Sequence, residues 1–226
     1  DVFEEALERD LLQMRAHRAG VPTILHEQNA VLGRANRLAA PGAVQIATSF
    51  ASVSTVKPAD AGKLVFTGNP VRPNVTAVRD LSYPVLDDGG EVRLLVLGGS
   101  QGARIFSEIV PEALALLPDA LKRRIRIAQQ CRPEDIEAAK AAFARAGIDA
   151  ELSTFFRDVP DRLAGCHLAI CRSGASTVAE LAAVGRPALL VPYPYAMDDH
   201  QTANAQAVAD AGGAWLMPQT AFTARA

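Results

Sequence analysis

His167 to Val184 read HLAICRSGASTVAELAAV. An apolar run of strand length breaks into the small-residue turn Arg172-Ser173-Gly174-Ala175, and a helical pattern follows with Glu180 about one turn inside it. A fully apolar strand that feeds a helix through a short loop is the unit of a parallel sheet covered on both faces. The same unit recurs on either side.

VRLLVLGG at Val92–Gly99 is a second continuous apolar strand, followed by a helix predicted over Ala103–Leu117. RIRIAQQ is a strand, Pro133–Ala146 a helix that opens on proline and stops at Gly147, and AEL a short strand. A turn around Asp158–Asp161 leads to HLAIC, and PALLVPY, a helix over His200–Ala211 and a strand over Ala214–Met217 complete the series. Residues 91–226 are therefore expected to form one doubly wound α/β domain.

Upstream the rhythm is looser. Phe3–Arg18 has helical spacing and a glycine stop at Gly20; VPTIL, AVQIAT and KLVFTG are short strands, with a helix over Val31–Ala39 stopped by Pro41-Gly42. The proline-punctuated stretch Asn69–Gly90 has no sustained period and is the expected linker, with residues 76–90 as its core and 1–75 as a reduced N-terminal portion.

Composition excludes several classes. The chain has 226 residues, 49% hydrophobic and 21% charged, with a net charge of −2, so no global field draws it to nucleic acid. Cys131, Cys166 and Cys171 sit in apolar runs without a C-x-x-C pair, as expected of reduced, packed thiols in the cytoplasm. His17, His26, His167 and His200 share no ligand spacing, and no metal site is expected. No run of about 18 apolar residues suggests a membrane span.

Doubly wound sheets bind ligands where strands end and helices begin. Three such junctions carry polar groups. In LGGSQGARI, Gly98, Gly99 and Gly102 let a ligand approach the backbone, and Ser100 and Gln101 add polar reach; a plain tight turn is the alternative. In the opening stretch, Ser176 or Thr177 could cap the helix, or the hydroxyls could donate to a ligand while Glu180 accepts from a vicinal diol. In PYPYAMDDHQTANAQ, Gln201 and Asn204 lie three apart on one helical face, either solvated or facing a ligand.

Five motifs in order, HEQNAVLGRANR (His26–Arg37), TGNPVR (Thr67–Arg72), LGGSQGAR (Leu97–Arg104), CRSGASTVAELAAVGRPALLVPYP (Cys171–Pro194) and DDHQTANA (Asp198–Ala205), resemble the MurG family of N-acetylglucosaminyltransferases, from Gly20 to the end. The resemblance implies a GT-B architecture and an inverting transfer of GlcNAc from UDP-GlcNAc to lipid I, the lipid-linked MurNAc-pentapeptide, giving lipid II at the cytoplasmic membrane surface. It implies that Glu180 holds the ribose, that Phe155, Phe156 and Arg157 line the uracil pocket, and that Ser100, Gln101, Arg72 and Thr177 face the diphosphate. Gln201, Asn204 and Asn29 would meet the sugar, and no metal or other cofactor is needed. His26 and Glu27 are candidate bases, or else fix the turn that follows them.

The family also has two glycine-rich loops for the acceptor diphosphate, and a final helix returning to the N-terminal domain. In place of the second loop this chain carries a helical pattern with Glu4, Glu5 and Glu8, which would repel a diphosphate. Weak acceptor binding and little transfer are therefore expected. A UDP-sugar 2-epimerase and a silent nucleotide-sugar-binding module are the competing readings; a nicotinamide enzyme is disfavoured, since G-x-G-x-x-G does not follow VLVLGG.

Overall fold

The computed structural model describes residues 15–16, 19–99 and 102–226, and shows two parallel sheets. The N-terminal sheet has β1 (Ile24–Glu27), β2 (Gln45–Thr48) and β3 (Leu64–Phe66) in the order β1-β2-β3, with α1 (Arg34–Ala39) in the first crossover. The larger sheet contains β4 (Val92–Leu97), β5 (Ile125–Gln130), β6 (Asp149–Ser153), β7 (Leu168–Cys171), β8 (Ala188–Leu190) and β9 (Ala214–Leu216). Its order is β6-β5-β4-β7-β8-β9, every pair parallel.

That order is the doubly wound pattern in which the chain first builds outward from β4 on one side, then crosses to β7 and builds outward on the other. Crossovers on the two sides lie on opposite faces of the sheet, as right-handed connections require. Helices α2 (Arg104–Ala115) and α3 (Ile136–Ala146) bury Phe106, Val110 and Phe143 against Ile125 and Ile127 on one face. On the other, α4 (Val159–Gly165), α5 (Ala175–Val184) and α6 (His200–Asp210) bury Leu163, Val178, Leu181 and Ala205 against Leu95, Ala169 and Leu190. Gly147 and Gly185 end α3 and α5 in left-handed conformation, the role a residue without Cβ fills best.

Every strand expected from residue 91 onward is present, with shifts of one to three residues at the ends. The differences have identifiable causes. The turn expected around Asp158–Asp161 is the start of α4: Pro160 occupies its first turn, where the missing N–H costs nothing. Residues 31–33 are not helical; Val31 bridges to Ser54 in extended backbone, and the helix starts at Arg34. The Asn69–Gly90 stretch does not hang between the two sheets. Its single helical turn, Pro73–Thr76, plugs the fully buried Val75 into the core of the larger sheet, Val78 follows it there from the next turn, and the Tyr83 hydroxyl donates to the His167 carbonyl at 2.8 Å. Arg186, itself buried, donates to the carbonyls of Ser82, Leu163, Ala164, Val184 and Gly185, fastening this segment to α4 and α5. Of the expected Phe3–Arg18 helix, Arg15 and Ala16 are helical; the other positions lie outside the described residues.

Candidate functional site

The strand order puts a crevice between the carboxyl ends of β4 and β7, because their outgoing loops turn in opposite directions. The β4 loop is built for close approach. A Cβ on Gly98 would lie 2.4 Å from the Ala103 nitrogen, and one on Gly102, at φ +69°, would lie 2.6 Å from Cγ of Arg132. Both positions require glycine. Ser100 and Gln101 lie outside the described residues.

The β7 loop ends at Gly174, the N-cap of α5, and no side chain caps the helix. The capping box considered for Ser176 or Thr177 is not formed. The first N–H groups of a helix have no intrahelical partner and carry its positive end, so the Ala175, Ser176 and Thr177 amides present an anion-binding start. The Ser173 hydroxyl is committed elsewhere: it is fully buried and donates to the Gln201 carbonyl at 2.8 Å, tying the β7 loop to α6.

A cavity of about 320 Å³ opens at this helix start, lined by Pro70, Val71, Arg72, Ser176, Thr177 and Glu180. Three residues expected in the donor site, Arg72, Thr177 and Glu180, thus share one pocket although they are up to 108 positions apart. Arg72 pairs with Glu180 directly, with Nε at 3.0 Å and Nη2 at 2.9 Å from Oε1. The carboxylate is mostly covered (13% exposed) and the guanidinium mostly open (58%). The Asn69 amide donates to the Ala175 carbonyl at 3.4 Å and holds the TGNPVR segment against α5.

Across the cleft, the HEQN turn and α6 meet. The buried Glu27 carboxylate accepts four hydrogen bonds: from the Asn29 backbone (2.9 Å) and side-chain amide (3.2 Å), from the Gly33 backbone (2.8 Å) and from Asn36 Nδ2 (2.8 Å). This corrects its reading as a base. Every favourable approach to its oxygens is occupied, and it is the organiser of the turn and of the delayed start of α1. His26 is exposed at the end of β1, its Nε2 3.3 Å from Ser49 Oγ.

Asn204 is also corrected. It is fully buried; its Oδ1 accepts from the Ala30 N–H at 2.8 Å, and its Nδ2 donates to Asn29 Oδ1 and the Ser173 carbonyl, each at 3.0 Å. One amide hydrogen and the amide oxygen join α6 to the HEQN turn of the other lobe, the second hydrogen ties α6 to the β7 loop of its own lobe, and Asn29 is drawn into the same contact. Gln201 is nearby, its Oε1 accepting from the Tyr193 N–H at 3.0 Å.

In TFFRD, Phe155 (68% exposed) and Arg157 are open to solvent, but Phe156 is buried with Arg162 stacked 4.1 Å from its ring centre, so it supports the loop from beneath and does not face a base. Arg162 is fixed by bidentate bonds to Glu151 (2.6 and 2.7 Å) and one to Asp158 (2.9 Å), which hold its guanidinium firmly protonated against the opposing effect of burial. Sequence reading missed Arg172. It donates to the Val191 and Pro192 carbonyls (each 3.0 Å) and to Gln219 Oε1 (2.6 Å), bracing the β8 exit from below the β7 loop. Its position inside CRSG was a signal, but nothing local shows that its partners lie about 20 and 47 residues on.

Two parallel-sheet lobes facing across a cleft, with the uncapped helix and glycine-built loop at the switch point of the second, define a GT-B fold. The model of the glycosyltransferase family 28 C-terminal domain matches residues 93–226, and the chain belongs to that family. It is 65% identical over 206 residues to a protein of Paramagnetospirillum magneticum named UDP-N-acetylglucosamine--N-acetylmuramyl-(pentapeptide) pyrophosphoryl-undecaprenol N-acetylglucosamine transferase, covering 91% of this chain and 56% of the relative. A Rhodospirillum centenum protein of the same name is 57% identical, covering 91% and 54%. The crystal structure of Acinetobacter baumannii MurG superposes with a TM-score of 0.75 at 32% identity, over 94% of this chain and 58% of that one. The chain spans about half the length of the curated relatives it matches.

Proposed function

We propose that this chain carries the donor site of an inverting transferase that moves GlcNAc from UDP-GlcNAc to lipid-linked MurNAc-pentapeptide in peptidoglycan synthesis. The observation that carries the reading is the shared pocket of Arg72, Thr177 and Glu180 at an uncapped helix start on the switch point of the sheet. A nucleotide sugar needs a carboxylate for its ribose diol and positive charge for its diphosphate, and this pocket offers both within one helical turn. UDP gains negative charge as the acceptor hydroxyl attacks the anomeric carbon. The α5 amides, the β4 loop and Arg72 would offset that charge without a metal ion.

Of the two candidate bases, His26 has a ring nitrogen at the open end of β1, and it would take the acceptor proton. Phe155 and Arg157 would flank the uracil, Ser100 and Gln101 the diphosphate, and Gln201 and Asn29 the sugar, with Asn204 holding Asn29 in place. A lipid-linked acceptor implies work at the cytoplasmic membrane surface, the protein being peripheral to it. Among the described residues no helix is long and apolar enough to cross a membrane.

Calorimetric titration tests this. UDP-GlcNAc should bind more tightly than ADP-glucose, and Glu180→Ala should weaken uridine nucleotides by about 1–3 kcal/mol, the cost of leaving buried hydroxyls unpaired. Equal affinity for the variant would reject the site. A second reading, donor binding without transfer, is favoured by the saturated Glu27, which removes one of the two candidate bases. A transfer assay on the same sample separates the two.

A further inference from the structure

Between β8 and α6 the backbone does something unusual. Asp198 and Asp199 both adopt left-handed conformation, at φ +52° and +51°. Residues with a Cβ are disfavoured there, so two in succession persist only where surrounding contacts hold them. The contacts are present. Asp199 Oδ1 accepts from the Thr202 hydroxyl at 2.7 Å, and its N–H donates to the Ala196 carbonyl at 3.0 Å. Asp198 reaches across the cleft: its Oδ2 accepts from Arg37 Nη2 at 2.7 Å and its Oδ1 from Arg34 Nη2 at 3.4 Å. Both arginines stand on α1, three positions apart and so on one face, and α1 has no acidic residue in its first turn to compete for them.

Asp198 and Asn204 therefore bracket the first turn and a half of α6. One is tied to α1 by charge, and the other to Asn29 and Ala30 by buried amide bonds. Gln201 lies between the two ties. We propose that Asp198 is a positioning residue: its arginine clamp draws α6 against the HEQN turn and so completes the subsite for the sugar of UDP-GlcNAc. The clamp touches neither nucleotide nor sugar and acts through the placement of Gln201 and Asn29. This inference rests on the donor reading above.

The described cysteines, Cys131, Cys166 and Cys171, are buried, so spin labels on Lys57→Cys and Lys140→Cys, both exposed positions, report the distance between the lobes. The parent chain should give one narrow distance. Asp198→Asn, which keeps the shape and removes the charge, and Arg37→Ala should each broaden it, while Asp198→Glu should restore it. UDP-GlcNAc affinity should fall about fivefold in either variant, the size of a half-exposed ion pair, and no further in the double variant. Affinity for UMP, which has no sugar to place, should not change. An unaltered distance in Asp198→Asn overturns the clamp. A UMP loss equal to that for UDP-GlcNAc, or additive losses in the double variant, overturns the positioning role. Absence of UDP-GlcNAc binding in the parent chain overturns the donor reading and the role with it, while the distance still judges the clamp.

Discussion

Glu180 and Arg72 neutralise each other in the pocket, and the proposed donor would need both of them. The two demands fit together. A ribose diol donating to Glu180 would replace contacts that Arg72 now makes, and would free the guanidinium for the diphosphate one group further along. Because Arg72 is largely exposed, its ion pair contributes at most about 1 kcal/mol to folding. Arg72→Ala should therefore leave the melting temperature nearly unchanged and weaken UDP more than uridine; an equal loss for both would place the diphosphate elsewhere. The cysteines offer a separate residue-scale test. Burial pushes the Cys166 thiol up to about 11 and Cys171 up to about 12, the nearby Arg186 only partly opposing the first. Neither should react with a thiol-exchange reagent at pH 8 until denaturant is added, and rapid labelling of the native chain would contradict their burial.

At the scale of elements, the turns that face the cleft are held by single residues. Glu27 fastens the HEQN turn with four hydrogen bonds, and Glu27→Ala would leave buried N–H groups unpaired. A loss of about 3 kcal/mol in urea unfolding is expected. Glu27→Ala as stable as the parent would show the network to be dispensable. Gly98→Ala should likewise disturb the β4 loop, because its Cβ meets backbone rather than a movable side chain.

The strands of the larger sheet were legible because burial on both faces forces continuous apolar runs such as VRLLVL and LAIC, and Gly147 and Gly185 marked helix ends. The start of α4 is not legible locally, because Pro160 suits a turn and a first helical turn alike and only packing of Leu163 decides. Clustering of Arg72, Thr177 and Glu180 was readable only through the motif resemblance. That Asn204 spends its amide on Ala30, 174 residues away, that Phe156 faces inward, and that Glu27 is saturated all depend on tertiary partners that no local pattern encodes.

For the molecule as a whole, the two lobes are joined by polar contacts at the cleft: Asp198 with Arg34 and Arg37, and Asn204 with Asn29 and Ala30. Burial alone would raise the Asp198 carboxyl, but the bond from Arg37 and the charges of Arg37 and Arg34 together hold it below its ordinary value. A depressed acid contributes its stability fully above the unfolded value near pH 4 and loses it as the pH falls through the folded value. The inter-lobe distance should thus be constant from pH 8 to about 5 and broaden only below about 4; broadening near neutrality would assign the tie to another group. Where the donor lies is tested most directly by a crystal structure with UDP-GlcNAc. The ribose should sit against Glu180, with the diphosphate over the first amides of α5 and beside the Gly98–Gly102 loop. A nucleotide found elsewhere on the chain, or one bound with Glu180 still paired to Arg72 and its ribose in solvent, would contradict the account.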